Sequence, residues 1–213
     1  MHLYWHGLTS VRIESSLGDT SCTLLTDPYG SDTGLRFPRT LEPNVLVLSH
    51  QDRKKFALDA LKNEPFLIAD PGEYEVQGVF VFGTTLQEGD AKHPFPLLYR
   101  FEIEGMSIGF IGGIKTVPSE EVLGRLENID ILLVSVGGGD YLDAKKAAEI
   151  VKTLEPRIVV PLAFATEGLN ASLASVDAFC KEVGGKRVDG NKLKLARKDL
   201  PADELVVQVL ERS

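Results

Sequence analysis

The residues of this chain best suited to chemistry follow a short apolar run, Val45–Leu48. His50 comes just after the run, and Asp52, Lys54 and Lys55 follow closely. A buried apolar strand delivers the residues after it to the edge of a sheet, where an imidazole and a carboxylate are ligands for a divalent metal ion. The two lysines do not fit such a site. A simpler interpretation of His50 is a core or turn residue that makes hydrogen bonds.

Six further segments contain short motifs in order along the chain: Trp5–Glu14, Leu25–Gly30, Asp70–Val79, Ile111–Thr116, Asp130–Gly138 and Pro156–Phe164. The third reads DPGEYEVQGV and the fifth reads DILLVSVGG. Together with the His50 segment, they resemble bacterial zinc-dependent hydrolases of the metallo-β-lactamase fold, and they are similar to the ascorbate-6-phosphate lactonase branch. The resemblance extends from residue 1 to about residue 170. It implies a cleft that holds zinc or manganese for hydrolysis.

Most metal-ligand positions implied by this resemblance are occupied by other residue types. In the H-x-H-x-D-H motif only His50 keeps its type, and Asp52 is a substitute carboxylate. The other ligand positions are occupied by Lys54, Lys55, Gly113, Thr116 and Ala163, and Leu8 stands at the histidine position of the N-terminal strand turn. An expected His-Asp pair falls on Leu86–Asp90, with His93 out of register. Because a divalent ion requires three or more nitrogen or oxygen ligands, the sequence predicts that the metal site is lost.

The two lysines pose a question of charge balance. Carboxylates that remain after the loss of metal ions repel one another, by about 4 kcal/mol for like charges ~4 Å apart at an effective dielectric constant of ~20. One hypothesis is that Lys54 or Lys55 points inward and pairs with Asp52, Asp27 or Asp70. The alternative is that both lysines lie on the solvent face of a helix.

The candidate binding residues of the vestigial cleft are His50, Asp52, Lys55, Asp27, Glu73 and Asp140. We expect a binding or interaction protein that is not catalytic and has no cofactor, with a small molecule or a protein as partner and self-association as an option. The alternative is a hydrolase of a small ester or lactone, with zinc or manganese at His50 and Asp52. Ser49 and Tyr141 complete no recognisable catalytic pair, so no catalytic residue is assigned.

The composition narrows the classes of function. The chain has 213 residues, of which 43% are hydrophobic and 25% are charged, so residues 1–213 are expected to form one domain. A formal net charge of -8 argues against nucleic-acid binding. Neither a membrane-spanning run nor a signal sequence is recognisable, and Cys22 and Cys180 lie far apart. A cytoplasmic protein without a disulfide is therefore expected, bound to neither membrane nor nucleic acid.

Apolar and alternating runs predict the strands of the first half as Leu3–His6, Ser10–Glu14, Cys22–Leu25, Val45–Leu48, Phe66–Ala69 and Tyr74–Phe82. A short helix is predicted from Lys54 to Lys62. Leu97–Ile103 and Met106–Ile111 predict a hairpin around Glu104 and Gly105.

The second half alternates between helix and strand. The predicted helices are Pro118–Glu127, Leu142–Leu154 and Ser172–Val183, and the strands are Ile129–Val136, Arg157–Pro161, Val188–Leu195 and Leu205–Leu210. The order predicts an α/β (α+β) fold, a four-layer αββα sandwich with two facing sheets and outer helices. Gly137–Asp140 lacks the spacing of a phosphate-binding loop and predicts a tight turn, with Asp140 or Asp143 near a helix N-terminus.

Overall fold

The computed structural model describes residues 1–86 and 95–213, which form two β-sheets. The first strands are β1 (His2–Gly7), β2 (Ser10–Leu17), β3 (Thr20–Thr26), β4 (Val45–Val47), β5 (Phe66–Ile68), β6 (Gly72–Val76) and β7 (Val79–Thr85). The later strands are β8 (Leu97–Ile103), β9 (Met106–Ile111), β10 (Ile131–Ser135), β11 (Ile158–Leu162), β12 (Lys186–Gly190), β13 (Leu193–Lys194) and β14 (Val206–Leu210). The prediction for Leu86–Asp90 and His93 lies outside the described residues except at Leu86, which lines a pocket between the sheets.

The order of the strands brings several loops to one edge of the sandwich. The first sheet has the order β13-β1-β2-β3-β4-β5, and the second has the order β12-β14-β11-β10-β9-β8-β7-β6. The strands β3, β4 and β5 are parallel, as are β9, β10, β11, β14 and β12. Because ligands bind at the carboxyl ends of parallel strands, the loops after β3, β4, β9, β10 and β11 are the place to look for a site.

Strand β4 shows how the sequence sets the layers. Val45 and Val47 belong to a hydrophobic core that both sheets share, together with Phe101 and Phe110 of the second sheet. The alternate residues of the run, such as Leu46, belong to a second cluster on the opposite face of the first sheet. Strands buried on both faces require continuous apolar runs, and each buried Val or Leu contributes about 1.5–3 kcal/mol.

The α-helices of the described residues are α1 (Glu120–Gly124), α2 (Ala144–Leu154) and α3 (Val176–Val183), and their buried side chains join the core shared with the second sheet. Each is capped by a side chain that accepts a backbone N–H: Ser119, Asp143 and Ser175 respectively. Asp143 is therefore the residue of the predicted turn that caps α2. No helix in the described ranges is long and apolar enough to span a membrane.

The predicted sandwich is confirmed in its two sheets, but the predicted helix from Lys54 to Lys62 is wrong. Two 3-10 turns, Arg53–Lys55 and Leu58–Ala60, occupy this segment, with Phe56 in an extended conformation between them. Phe56 packs against the second cluster together with Leu58 and Leu61. Burial of these spaced apolar side chains against the sheet outweighs local helix propensity, so the outer layer here consists of turns and loops.

Two predicted strands are each divided in the structure. The run Tyr74–Phe82 forms β6 and β7, because Gln77 and Gly78 both adopt positive φ angles, 53° and 78°, in a tight hairpin turn. The run Val188–Leu195 is shared between β12 in the second sheet and β13 in the first. The hairpin of β8 and β9 has the predicted bounds.

The close approach of the loops after β10 and β11 yields a prediction. A Cβ atom at Gly137 would collide with the backbone carbonyl oxygen of Ala163. Gly137→Ala is expected to lower the free energy of unfolding by about 3 kcal/mol or more, measured by urea denaturation. Gly124→Ala is the control, because its nearest atom would be the Glu127 carboxylate at 3.6 Å and alanine favours the helix. Equal stability of the two variants would contradict the prediction.

Candidate functional site

A cleft of about 610 Å³ opens at the carboxyl ends of the parallel strands. Its apolar lining includes Phe56, Phe95, Pro96 and Ile114. Its polar lining consists of Thr9, Ser49, His50, Lys55, Lys115, Thr116, Asp140 and Tyr141. Both sheets therefore contribute to the cleft, and several of these polar residues directly follow a buried strand.

A buried carboxylate lies under the floor of the cleft. Asp27 directly follows β3 and accepts hydrogen bonds from the backbone N–H and the hydroxyl of Ser49, both at 2.7 Å. Burial raises the pKa of Asp27 from 3.8 to about 6, although the hydrogen bonds from Ser49 and from the Thr9 hydroxyl favour the charged form. The carboxylate thus has hydroxyl and amide groups as hydrogen-bond donors. At a pH near 6 it is only partly ionised.

His50 uses one of its ring nitrogens within its own loop. The backbone N–H of Asp52 donates to His50 Nδ1 at 2.9 Å, so Nδ1 presents its lone pair there and the proton of the neutral ring is on Nε2. Burial and then the nearby Lys55 ammonium lower the pKa of His50, which favours this neutral form. The remaining ring nitrogen is therefore a hydrogen-bond donor, whereas a metal ion requires a lone pair.

The backbone packs closely where the family resemblance implies acidic or imidazole ligands. A Cβ atom at Gly113 would lie 2.8 Å from the Ser49 hydroxyl oxygen. Ala163 is fully buried at a positive φ of 49°, and its N–H donates to the Leu8 carbonyl oxygen at 3.0 Å. A side chain at position 113 would therefore require the Ser49 hydroxyl to move.

The two lysines that line the cleft are Lys55, which the sequence singled out, and Lys115, which it did not. Lys55 lines the cleft, and Lys115 on the opposite sheet forms an ion pair with Asp140. Lys115 and, more weakly, Lys55 lower the pKa of the Asp140 carboxyl. Sequence analysis missed Lys115, although it lies between two of the substituted ligand positions, Gly113 and Thr116.

The predicted ion pair of Lys54 or Lys55 with a nearby aspartate is wrong for the residues that the structure describes. Asp27 is buried with its own hydroxyl and amide donors, and Asp70 lies 3.8 Å from Arg53. Asp52 accepts the backbone N–H of Lys54 at 3.2 Å. Both lysines are exposed, as the alternative predicted, and Lys55 borders the cleft.

Two of the candidate site residues lie elsewhere. Glu73 lines a separate cavity of about 900 Å³ together with Arg100 and Arg125, because it lies on β6 at the far edge of the second sheet. The Asp52 carboxylate caps the 3-10 turn after the cleft. The structure brings together His50, Lys55 and Asp140 along the cleft, above Asp27.

The donor set was tested for a divalent metal ion. Within the ranges 1–86 and 95–213, no group of three or more His, Cys, Asp or Glu side chains could hold a metal ion. His50 directs its Nδ1 lone pair at a backbone amide, and Asp27 is enclosed by its hydrogen-bond donors. The described side chains therefore do not fit the three-ligand site that zinc requires.

The family model of the β-lactamase superfamily domain matches residues 2–163 of this chain. The chain belongs to this family. The superfamily membership agrees with the two-sheet architecture and with the position of the cleft at the strand ends. The resemblance noted in the sequence is thereby confirmed at the level of the metallo-β-lactamase superfamily.

Individual relatives of this superfamily cover nearly the whole chain. A UPF0173 protein of Pyrococcus furiosus is 33% identical, over 88% of this chain and 93% of the relative. A UPF0173 metal-dependent hydrolase of Thermodesulfovibrio yellowstonii is 27% identical, over 90% of this chain and 88% of the relative. A solved structure from Thermotoga maritima, assigned to the zinc-dependent hydrolases of the metallo-β-lactamase superfamily, is 26% identical with a TM-score of 0.77 and covers 99% of both chains.

The buried Asp27 predicts a pH-dependent stability. Its folded pKa of about 6 exceeds the ordinary 3.8, so the folded protein keeps a proton that the unfolded chain releases as the pH rises through this window. The contribution of Asp27 to the free energy of unfolding is therefore lost as the pH rises from 3.8 to about 6. Asp27→Asn is expected to match the parent chain in acid and to exceed its unfolding free energy by on the order of 3 kcal/mol above the window.

Urea denaturation of both proteins across this pH range measures the difference. His6 is buried with a pKa lowered to about 4, so its own contribution has the opposite sign and rises with pH. Because His6 is common to both proteins, its contribution cancels in the comparison. A stability difference that does not vary with pH would show that Asp27 is not the titrating group.

Proposed function

We propose that this member of the metallo-β-lactamase superfamily is a non-catalytic binding protein whose cleft takes a small molecule without a metal ion. The observation that supports the proposal most directly is the hydrogen bond from the Asp52 N–H to His50 Nδ1. It leaves the one retained imidazole of the motif as a donor toward the cleft. A metal-assisted hydrolase needs at least three ligands and an open position at which water is activated.

The cleft itself supports a small ligand. Its volume of about 610 Å³ is within the range of small-molecule sites, roughly 300–1,000 Å³. The mixture of aromatic walls, including Phe56 and Phe95, with a few polar side chains is typical of such sites. A protein partner would instead require a larger exposed surface.

The second candidate function is a metal-dependent hydrolase acting on a small ester or lactone. The names of the relatives from Thermodesulfovibrio yellowstonii and Thermotoga maritima favour it. Fold and family alone do not establish chemistry, since one fold supports many activities. For this chain the hydrolase hypothesis requires His50 and Asp52 to leave their present hydrogen bonds and become ligands.

Metal content distinguishes the two functions. The protein is purified without chelator, incubated with zinc or manganese, desalted and measured by mass spectrometry. We expect less than about a tenth of an equivalent of metal, because the described donors form no three-ligand set. The Thermodesulfovibrio yellowstonii relative, treated identically, is the control for loading. Near-stoichiometric metal that disappears in His50→Ala would refute the proposal and favour the hydrolase alternative.

A further inference from the structure

Two positively charged side chains face the cleft from different sheets. Lys55 belongs to the loop after β4, and Lys115 belongs to the loop after β9. In the part of the chain that the structure describes, Lys55 has no ion-pair partner, and Lys115 has only Asp140. The side chains of Lys115 and Asp140 are 60% and 86% exposed, so this ion pair contributes little to stability and is readily exchanged for another anion.

The polar groups beside these lysines are hydrogen-bond donors. The neutral ring of His50 presents Nε2–H, because its Nδ1 accepts the Asp52 amide. Tyr141 is half-buried and burial raises its pKa to about 12, so its hydroxyl stays protonated as a donor. Thr116 adds a hydroxyl on the side of Lys115.

Among the described residues, the acidic groups of the cleft leave Lys55 without a counter-ion. Asp27 is enclosed under the floor by Ser49, and Asp140 lies at the exposed rim. The chain as a whole has a net charge of -8, which disfavours non-specific binding of anions. Within the described residues, the cleft therefore presents one unpaired ammonium group and one in an exposed ion pair, on an acidic protein.

We propose that the ligand of the cleft is a small organic anion, with its phosphate or carboxylate group held between Lys55 and Lys115 and its apolar part against Phe56 and Phe95. This inference rests on the proposed function, binding without metal. The anion takes the place of Asp140 as the partner of Lys115 and accepts a hydrogen bond from His50. Hydrogen bonds between an ammonium group and an anion are stronger than those between neutral groups, and the exposure of both lysines keeps the contribution of each modest.

Isothermal titration with phenyl phosphate, benzoate and inorganic phosphate tests the proposal on chelator-treated protein at constant ionic strength. We expect saturable binding, tighter for phenyl phosphate than for inorganic phosphate because the ring adds apolar contact. Benzyl alcohol, which lacks the charge, should not bind measurably. Comparison of phenyl phosphate with benzoate identifies which anionic group the cleft prefers.

Three variants locate the binding site. Lys55→Gln and Lys115→Gln should each weaken phenyl phosphate binding by about tenfold, the value of one charged hydrogen bond. Asp140→Asn should tighten binding, because Lys115 is then freed from its partner. Lys54→Gln is the matched control: it removes a lysine from the same 3-10 turn but does not line the cleft.

The outcomes separate this inference from the proposed function. Equal affinity of Lys55→Gln and Lys54→Gln for phenyl phosphate would overturn the anion site. So would the absence of binding of either organic anion by metal-free protein. Neither result would contradict the proposal that the protein holds no metal ion. Binding that appears only after zinc loading, and that is insensitive to Lys55→Gln, would overturn both. Unchanged melting temperatures of the lysine variants would confirm that altered affinity does not reflect altered folding.

Discussion

The geometry of the cleft depends on the hydrogen bonds between Asp27 and Ser49. They join the ends of two adjacent parallel strands, β3 and β4, beneath the floor of the cleft. A buried carboxylate without such donors would cost several kcal/mol, so the two loops are held in one arrangement. Asp27 also adopts a positive φ of 39°, a conformation that an Asp side chain tolerates better than most. The strain is accepted because the hydrogen bonds fix the turn.

This floor limits what the second sheet places above it. The backbone of Gly112 and Gly113 approaches so closely that an added Cβ would lie 3.2 Å from an Asp27 carboxylate oxygen and 2.8 Å from the Ser49 hydroxyl oxygen, respectively. A side chain at position 113 and the present Ser49 rotamer therefore exclude each other. The resemblance to the superfamily assigns a bridging aspartate to this position. The present position of the Ser49 hydroxyl therefore depends on the absence of a side chain at position 113.

Local patterns predicted the fold better than they predicted the site. The β8–β9 hairpin has an antiparallel pattern and a short turn at Glu104 and Gly105, so its bounds follow from the sequence. The segment after His50 has helical spacing, yet its apolar side chains are buried against the first sheet as 3-10 turns, a tertiary effect that periodicity does not contain. Lys115 lies between two substituted ligand positions, but its place in one cleft with Lys55 depends on loops from different sheets meeting, which a local pattern does not contain. His50 was found because it follows a buried strand, but its tautomer depends on the Asp52 backbone amide.

A metal centre and a pair of lysines produce positive potential in a cleft by opposite means. Metal ions must be surrounded by lone pairs, and the residues at the implied ligand positions Gly113, Thr116 and Ala163 provide neither imidazole nor carboxylate. Lysine ammonium groups need no ligand shell and supply both charge and donors. On the proposal of an anion site, Lys55 and Lys115 preserve the attraction for a negatively charged ligand and remove the means of activating water. On this proposal, anion binding and hydrolysis are separable in this chain, because the first depends on charge at the rim of the cleft and the second on lone pairs at its floor.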